Sequence, residues 1–373
     1  MIWLSWIFAA FYYLMLACCF KSLRVAIAVI ETAADFFADT KRVIFVPLAF
    51  FFAGIILFVM WIAAAFCVSS IGEIKVESPL DQSKDIEWAD STYYMMYFMI
   101  FGIVWLMAFT IAMNEFVIIV SAVTWYYSDK TIPDDDGIPG DSDVWYGFKW
   151  GFKYHMGSLA LGSFALAIIW IIRAIMEYIG EKVAEATGDN GCVKCCISCM
   201  KCCVACFDRF IRYLNRNAYI YIAITSESFC SAAIDAFIMM LKNSAKFAFI
   251  DGIADVFMFL AKFLISTLTT FVCYWLLGAM TDVNSKTLPL LTVFLLTWII
   301  SAVFIAIFDT GSNTILQCYL LDKEIASYDG LGDPDHIPPT MSKFFKSEHV
   351  QDMMNKHGRQ DGATEPLIGN QMA

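Results

Sequence analysis

The sequence is poor in charged residues and in histidine. Asp, Glu, Lys and Arg together make up 16% of the 373 residues, whereas about a quarter is usual in soluble domains. Only four histidines occur, and no HExxH motif, P-loop or ordered Ser, His and Asp set accompanies them. These absences exclude the common catalytic constellations. We therefore expect a protein that is not an enzyme and that uses no cofactor and no metal ion.

Positive charge is also scarce. The net charge is −11, and part of the excess lies in short acidic loops such as 134–136. Nucleic-acid binding requires clustered Lys and Arg, so a nucleic-acid partner is not expected. The N-terminal segment has neither the basic start nor the small-residue cleavage site of a secretory signal, and it is interpreted as a spanning helix.

Apolar residues dominate the composition. The chain is 60% hydrophobic and 16% aromatic, with a mean hydropathy of +0.64. Several runs reach the roughly 20 residues that a helix needs to cross a bilayer. We predict an all-α fold, a polytopic transmembrane helix bundle with about seven spanning segments and additional amphipathic surface helices. The predicted spans are Ile2–Phe20, Val43–Val68, Thr92–Tyr127, Tyr154–Ile179, Asn217–Leu241, Ile253–Met280 and Leu288–Leu321.

The predicted domain organisation is a transmembrane helical domain at 1–321 and a polar tail at 322–373. The helical domain includes a polar, Cys-rich connector at 181–216. Apolar residues recur at helical spacing within 21–42, which predicts a short helix along the membrane surface. The tail has adjacent prolines and no apolar periodicity, so we expect it to be cytosolic and largely disordered.

The distribution of Lys and Arg predicts the orientation, with one conflict. The loop 21–42 is richer in Lys and Arg than the loop 72–90, which favours a cytosolic location for 21–42. Seven spans then bring the tail into the cytosol. The same count puts the basic segment 192–216 outside, against the rule, and the sequence leaves its side of the membrane open.

Seven of the thirteen cysteines lie between residues 192 and 206. Their spacing follows one face of a helix, whereas a zinc site of paired CxxC motifs would need a loop between the pairs. We interpret the tract as an amphipathic helix with a thiol-rich face on the bilayer, where the thiols are candidates for S-acylation. Disulfides, if the tract is extracellular, and a metal site are the alternatives.

The segment 217–241 is apolar enough for lipid yet carries two carboxylates. Glu227, Ser231 and Asp235 are spaced at i, i+4 and i+8, which places them on one face of a continuous helix. Ionisable groups at membrane depth usually face a bundle interior or a water-filled path. We predict that this stripe lines a substrate pathway, together with Glu115 and Asp309. The alternative is structural, with each acid hydrogen-bonded to a neighbouring helix.

Aromatic side chains supply the second component of a candidate cation site. A quaternary ammonium is held by ring faces, because it has no N–H group to donate. Trp105 and Tyr219 are the rings that we assign to the pathway. Trp61, Tyr126 and Phe229 are further candidates.

Residues 213–219 form the most specific motif, Tyr-Leu-Asn-Arg-Asn-Ala-Tyr, and 229–237 continue it with Phe-Cys-Ser-Ala and Asp-Ala-Phe. This block resembles the most recognisable part of the choline transporter-like family (solute carrier family 44), whose pattern is roughly L-N-x-N-A-Y, A-I, F-C-x-S-A, A-F. Residues 154–158, Tyr-His-Met-Gly-Ser, resemble that family's Y-H-x-G-S/T, and 125–127 resemble the aromatic end of its preceding span.

The resemblance implies uptake or exchange of choline or a related organic cation, including ethanolamine, by facilitated alternating access. The expected location is a plasma membrane, with an organelle membrane as the alternative. Family members typically have ten spans and a large glycosylated extracellular loop, so this chain is expected to correspond to the family from the fourth span onwards. Glu115 stands where relatives often have Gln.

Besides the organic cation and the lipid bilayer, a membrane-protein partner is considered. The competing hypothesis follows from that partner. In it, the chain is a non-transporting membrane subunit or scaffold that keeps the fold of a truncated choline transporter-like protein. Oligomeric state is not predicted.

Overall fold

The computed structural model of the protein describes residues 20–76, 84–128, 143–187, 191–242, 244–280, 285, 287–329 and 336–342. Nine α-helices are found in these ranges. They are α1 Phe20–Asp39, α2 Val46–Ser69, α3 Asp90–Tyr127, α4 Asp143–Lys153, α5 Met156–Thr187, α6 Gly191–Thr225, α7 Phe229–Lys242, α8 Ser244–Met280 and α9 Thr287–Asp329. A 3₁₀ turn, Lys41–Phe45, leads into α2. The predicted all-α bundle is confirmed, with one small hairpin added: β1 (Glu73–Val76) pairs antiparallel with β2 (Lys84–Glu87).

Five helices of the described chain are long and apolar enough to cross a membrane. They are α2 with its preceding 3₁₀ turn, α3, α5, α8 and α9, and α6 with α7 forms a sixth if this bent pair is one span. Five of the predicted spans therefore correspond to helices with similar bounds. The first predicted span, from residue 2 to 20, lies almost entirely outside the described residues. The five apolar segments form helices because a helix in lipid satisfies every backbone polar group internally.

The prediction of one continuous helix over 217–241 is wrong. The chain bends by 109° between α6 and α7. Ser226 adopts a left-handed φ of 60°, and its N–H bonds Ile222 O at 2.9 Å, which ends α6. The hydroxyl of Thr225 accepts a bond from the Glu227 N–H. Ser and Thr side chains offer the backbone such local alternatives to the helical ladder, and the sequence has a run of them here.

The predicted connector 181–216 is also mostly helical. α5 continues to Thr187, and α6 begins at Gly191 and runs without interruption through the Cys tract into the 213–219 motif. The helical interpretation of the Cys spacing is therefore confirmed. The described cysteines of the tract are all exposed, and none of them is in a disulfide. Cys192 has no described side chain.

Burial is concentrated at one end of the bundle. The core cluster gathers the second half of α3, from Ala112 to Tyr126, with side chains of α1, α6, α7 and the second half of α9. Phe116 and Ile220 are fully buried there. The first half of α3, most of α2 and the apolar half of α9 instead carry many exposed large hydrophobic residues, such as Phe51 and Ile299. On spanning helices such residues face lipid.

Two segments that were predicted to lie outside the bundle pack against it. The apolar face of α1, with Thr32, Ala33 and Phe36 fully buried, lies against α8 and α9. α9 runs past the predicted domain boundary at 321, and Met341 from the segment 336–342 is fully buried. Thr340 donates a hydrogen bond to Asp35 of α1, which ties this part of the tail to the bundle.

Candidate functional site

A polar cavity lies between α3, α5 and α6. Its volume is about 80 Å³, whereas a single water needs roughly 10–15 Å³. The lining residues are Ala108, Ile111, Ala112 and Glu115 from α3, Ser163, Leu166 and Trp170 from α5, and Arg212, Asn215 and Tyr219 from α6. The cavity therefore brings together one carboxylate, one guanidinium and two aromatic side chains.

Glu115 is the acid of this cavity. It lies in the middle of the well-packed part of α3, between the buried residues Met113 and Phe116. The charges of Arg216, Asp309 and Arg212 all reach its carboxyl group electrostatically. The Glu115 carboxyl group is thus close enough to two cations and one further anion to interact with their charges.

Arg212 lies over the face of Trp170. The centre of its guanidinium is 5.0 Å from the ring centroid, which is a cation–π contact. Its Nε and Nη2 donate to the two oxygens of Asp208 at 3.1 and 2.9 Å. Asp208 is also 3.7 Å from Arg173 of α5. The cavity therefore already contains a cation on an aromatic face, held in place by a bidentate carboxylate.

The motif 213–219 attaches α6 to α5. Asn215 donates from Nδ2 to the carbonyl of Gly162 at 2.8 Å, and Tyr219 is buried against the same position. A side chain at 162 would meet the Tyr219 hydroxyl and would come within 2.8 Å of Phe229. Only glycine at 162 allows this approach, so the first Asn and the final Tyr of the motif are set by helix packing.

Asn217, the second Asn of the motif, attaches α6 to α7 and α9. It is 2% exposed, and its Nδ2 donates to Tyr213 O at 2.7 Å and lies 3.1 Å from the sulfur of Met240. Gln317 of α9 donates to its Oδ1. A buried amide with these partners is satisfied. We infer that Asn217 fixes the positions of α7 and α9 relative to α6.

Asp309 forms an ion pair with Arg216. Arg216 Nη2 is 2.7 Å from Asp309 Oδ2 and 2.8 Å from the Thr310 hydroxyl. Asn313 donates to the other carboxylate oxygen at 3.3 Å. The side chains of Arg216 and Asp309 are 20% and 30% exposed. Asp309 therefore has a structural partner, and that partner is the Arg of the motif.

The structure groups three of the seven predicted site residues and separates four. Glu115 and Tyr219 line the cavity, and Asp309 lies within electrostatic range of Glu115. Trp105 donates to Ala160 O at 3.1 Å and does not line the cavity. Glu227 accepts a 2.6 Å hydrogen bond from Ser231 at the bend, and Asp235 is exposed on α7. A pathway role stays a prediction for all seven residues.

Sequence reasoning missed Trp170 and Arg212. The i, i+4 spacing of Asp208 and Arg212 predicts a pair on one helix face, but nothing in the sequence indicates that Trp170 meets it. Within the described residues no group of His, Cys, Asp and Glu could hold a metal ion.

A bundle of five or six helices that are long and apolar enough to cross a membrane defines a polytopic membrane protein. The sequence matches, over residues 3–324, the family described as plasma-membrane choline transporter. The chain belongs to this choline transporter-like family. It is an integral, multi-pass membrane protein, and the plasma membrane is the location that the family description gives.

Individual relatives agree. The chain is 26% identical over 328 residues to choline transporter-like protein 1 of Rattus norvegicus, covering 85% of this chain and 47% of the relative. It is 29% identical to choline transporter-like protein 2 of Xenopus laevis, covering 72% and 38%. Identity to choline transporter-like protein 5-A of Danio rerio is 31%, covering 59% and 32%. The chain thus spans about half the length, or less, of these curated relatives.

Proposed function

We propose that this chain forms the cation-binding part of a transporter of choline or a related organic cation, which works by facilitated, alternating-access exchange. The observation that carries the proposal is the cavity that sets Glu115 opposite Trp170 and Tyr219. The names of the relatives supply the substrate class. The packing of the cavity supplies a reason for it.

The chemistry of the cavity suits a quaternary ammonium. Such a group cannot donate a hydrogen bond, so ring faces and a nearby negative charge must hold it. Trp170 and Tyr219 offer the rings, and Glu115 offers a carboxyl group that is negatively charged when deprotonated. Ethanolamine, a primary amine, would in addition donate to the Glu115 carboxylate or to the Ser163 hydroxyl.

Arg212 occupies the place of the substrate cation. Its guanidinium covers the Trp170 face that an incoming ammonium needs, and two cations on one ring face would repel each other. We propose that Arg212 moves away from Trp170 when substrate enters, while Asp208 keeps its charge paired. The exchange of one cation for another keeps the charge of the cavity constant between empty and loaded states.

The bend between α6 and α7 provides a site for movement. Transport sites in membranes are often built from discontinuous helices, and a non-glycine residue such as Ser226 at positive φ stores roughly 1–3 kcal/mol of strain. Tyr219 of the cavity lies 6.2 Å, ring to ring, from Phe229 at the start of α7. We propose that the substrate path continues beyond this bend, where it is lined by Glu227, Ser231 and Asp235. Trp105 would line the path on the lipid-facing side of α5.

Choline binding and uptake by the full-length protein test the proposal. In proteoliposomes, Glu115→Ala and Trp170→Leu should each weaken choline binding at least about tenfold, equal to about 1.4 kcal/mol. Arg212→Gln should bind choline more tightly, because the competing cation is gone. Glu185→Ala is the matched control, since Glu185 is an exposed acid of α5 that pairs with Lys182 and does not line the cavity. Folded variants that all bind like the parent would refute the site.

The same assay tests the outlying residues and the alternative function. Reduced uptake with Glu227→Ala or Asp235→Ala, at unchanged binding, would support their place on the path. If the parent protein neither binds nor transports choline and instead co-purifies in a stable stoichiometric membrane complex, the non-transporting subunit is the better description.

A further inference from the structure

A second cavity opens on the lipid-facing side of the bundle, between α2, α3 and α9. Its volume is about 440 Å³, against about 80 Å³ for the Glu115 cavity. Most of its wall comes from α2, where Pro47, Phe50, Phe51, Gly54 and Phe58 follow one another along the groove. Phe51 and Phe58 are 61% and 46% exposed, so the groove faces the surroundings of the bundle.

The groove has one polar position that lacks a partner. Among the described residues no charged side chain lines it, and the two polar side chains in its wall are those of Thr110 and Asn114. The Thr110 hydroxyl donates to Leu106 O at 2.8 Å. Asn114 Oδ1 is buried and has no hydrogen-bond partner among the described residues. An unsatisfied acceptor costs roughly 1–3 kcal/mol, and lipid tails cannot satisfy it.

The groove is long enough to extend through one leaflet. The exposed residues Lys41 and Arg42 begin the 3₁₀ turn that leads into α2, and basic residues at the end of a span are typical of the membrane interface. Pro47 and Asn114 line the groove about one turn further in, and Phe58 lies eleven residues beyond Pro47. Eleven residues rise about 16 Å, which is roughly half of the ~30 Å hydrocarbon core. The polar end is thus near the interface, and the apolar end is near the midplane.

We propose that this groove binds a sterol. A sterol has a flat apolar body as deep as one leaflet and a single hydroxyl at the interface. The hydroxyl would donate to Asn114 Oδ1, which a rotation of the amide presents to the groove. The ring system would lie against Phe50 and Phe51 and would fill the space beside Gly54. This space is open, because a Cβ atom added at position 54 would have only the Met107 sulfur within 4 Å, at 3.9 Å.

A phospholipid fits this groove less well. Its phosphate would need a basic partner, and none of the described residues that line the groove is a cation. Its flexible acyl chain would cover the phenylalanines but would leave Asn114 unpaired. A sterol site would also adjoin the cation cavity, because Ile111 lines both spaces. The proposal does not depend on choline transport.

Photolabelling of the full-length protein tests the sterol site. In phosphatidylcholine nanodiscs, a photoreactive, alkyne-tagged cholesterol analogue should label peptides within 47–58 and 107–114, and excess cholesterol should compete. Gly54→Leu, which fills the groove, and Asn114→Leu, which removes the acceptor, should each reduce labelling at least fivefold. Gly102→Leu is the matched control, since a side chain at 102 meets nothing within 4 Å and lies outside the groove.

Three results would overturn the proposal. If a photoreactive phosphatidylcholine labels the same peptides and cholesterol does not compete, the groove is an ordinary lipid contact. If Asn114→Leu is labelled as strongly as the parent protein, Asn114 does not bind the sterol hydroxyl, and the sterol assignment fails. Crosslinks from the groove to residues 2–19 or to a second copy of the chain would show a protein occupant. If Gly54→Leu does not fold, Asn114→Leu decides alone.

Discussion

Arg216 and Asp309 join α6 to α9 by an ion pair of 2.7 Å. Arg216 stands between Asn215, which bonds α5, and Asn217, which accepts a bond from α9. Three successive residues of one motif therefore hold α6 against two neighbours. Because Arg212 and Tyr219 lie one turn to either side, these contacts also fix the wall of the Glu115 cavity.

Loss of one partner of this ion pair should destabilise the protein. Arg216→Met leaves Asp309 partly buried without its cation, and breaking a buried pair costs about 3–5 kcal/mol when fully desolvated. With side chains 20% and 30% exposed, we expect about 1–3 kcal/mol, seen as a lower Tm in detergent. Asp309→Asn should behave similarly.

The control for that pair is Lys182→Met. Lys182 and Glu185 form an exposed pair with side chains more than half accessible, and such pairs contribute about 0–1 kcal/mol. Equal loss of Tm in Arg216→Met and Lys182→Met would contradict the assigned role. In a double-mutant cycle, Arg216→Met and Asp309→Asn should be less than additive.

Two glycines of α5 should respond in opposite directions to alanine. A methyl group at 162 would clash with Tyr219 and Phe229, and overpacking costs about 1–3 kcal/mol. At Gly157 nothing lies within 4 Å of the added carbon, so Gly157→Ala should be neutral or stabilising by up to about 1 kcal/mol. Thermal unfolding of both variants checks this. A Gly162→Ala variant as stable as the parent would show that Tyr219 can move.

The segment 336–342 should contribute to the stability of the bundle. Met341 is fully buried, and Met→Ala in a core typically costs about 2–5 kcal/mol. Met60 of α2 is 64% exposed on a lipid-facing surface, where truncation leaves no cavity. Met341→Ala should therefore lower Tm clearly, and Met60→Ala should not. Proteolysis after residue 329 adds a second readout: it should be slow in the parent and faster in Met341→Ala.

The stability of the protein should decrease in mild acid through His155. This residue is buried between α4 and α5, with its ring 5.6 Å from that of Phe116. Burial lowers the pKa of His155 below its usual value near 6.5. The unfolded chain therefore binds the proton more tightly, so stability is complete above about pH 6.5 and is lost as the pH falls.

A pH series of Tm values for the parent and for His155→Gln measures this contribution. The variant cannot take up the proton, so its Tm should fall less between pH 7.5 and 5. Parallel pH profiles for the two proteins would exclude His155 as the cause.

The spanning helices were predictable because lipid permits so few structures. An apolar run such as 43–68 has to be a helix, whatever it packs against. The acids were harder to interpret. Glu227, Ser231 and Asp235 share a face only if the helix continues through Ser226, and neither proline nor glycine marks the bend there. Nothing in the sequence indicates that Asp309 pairs with Arg216, because the two residues are 93 positions apart.

That this is a helical membrane protein of the choline transporter-like family follows from its composition and from the local 213–219 motif, which are properties of the amino-acid chain alone. Which side chains meet depends on how the helices pack. The cavity depends on Glu115, Trp170 and Arg212 coming from three helices, and the lipid-facing groove depends on the space that Gly54 leaves beside α3. Such contacts follow from how helices pack at a distance, which periodicity along one helix does not encode.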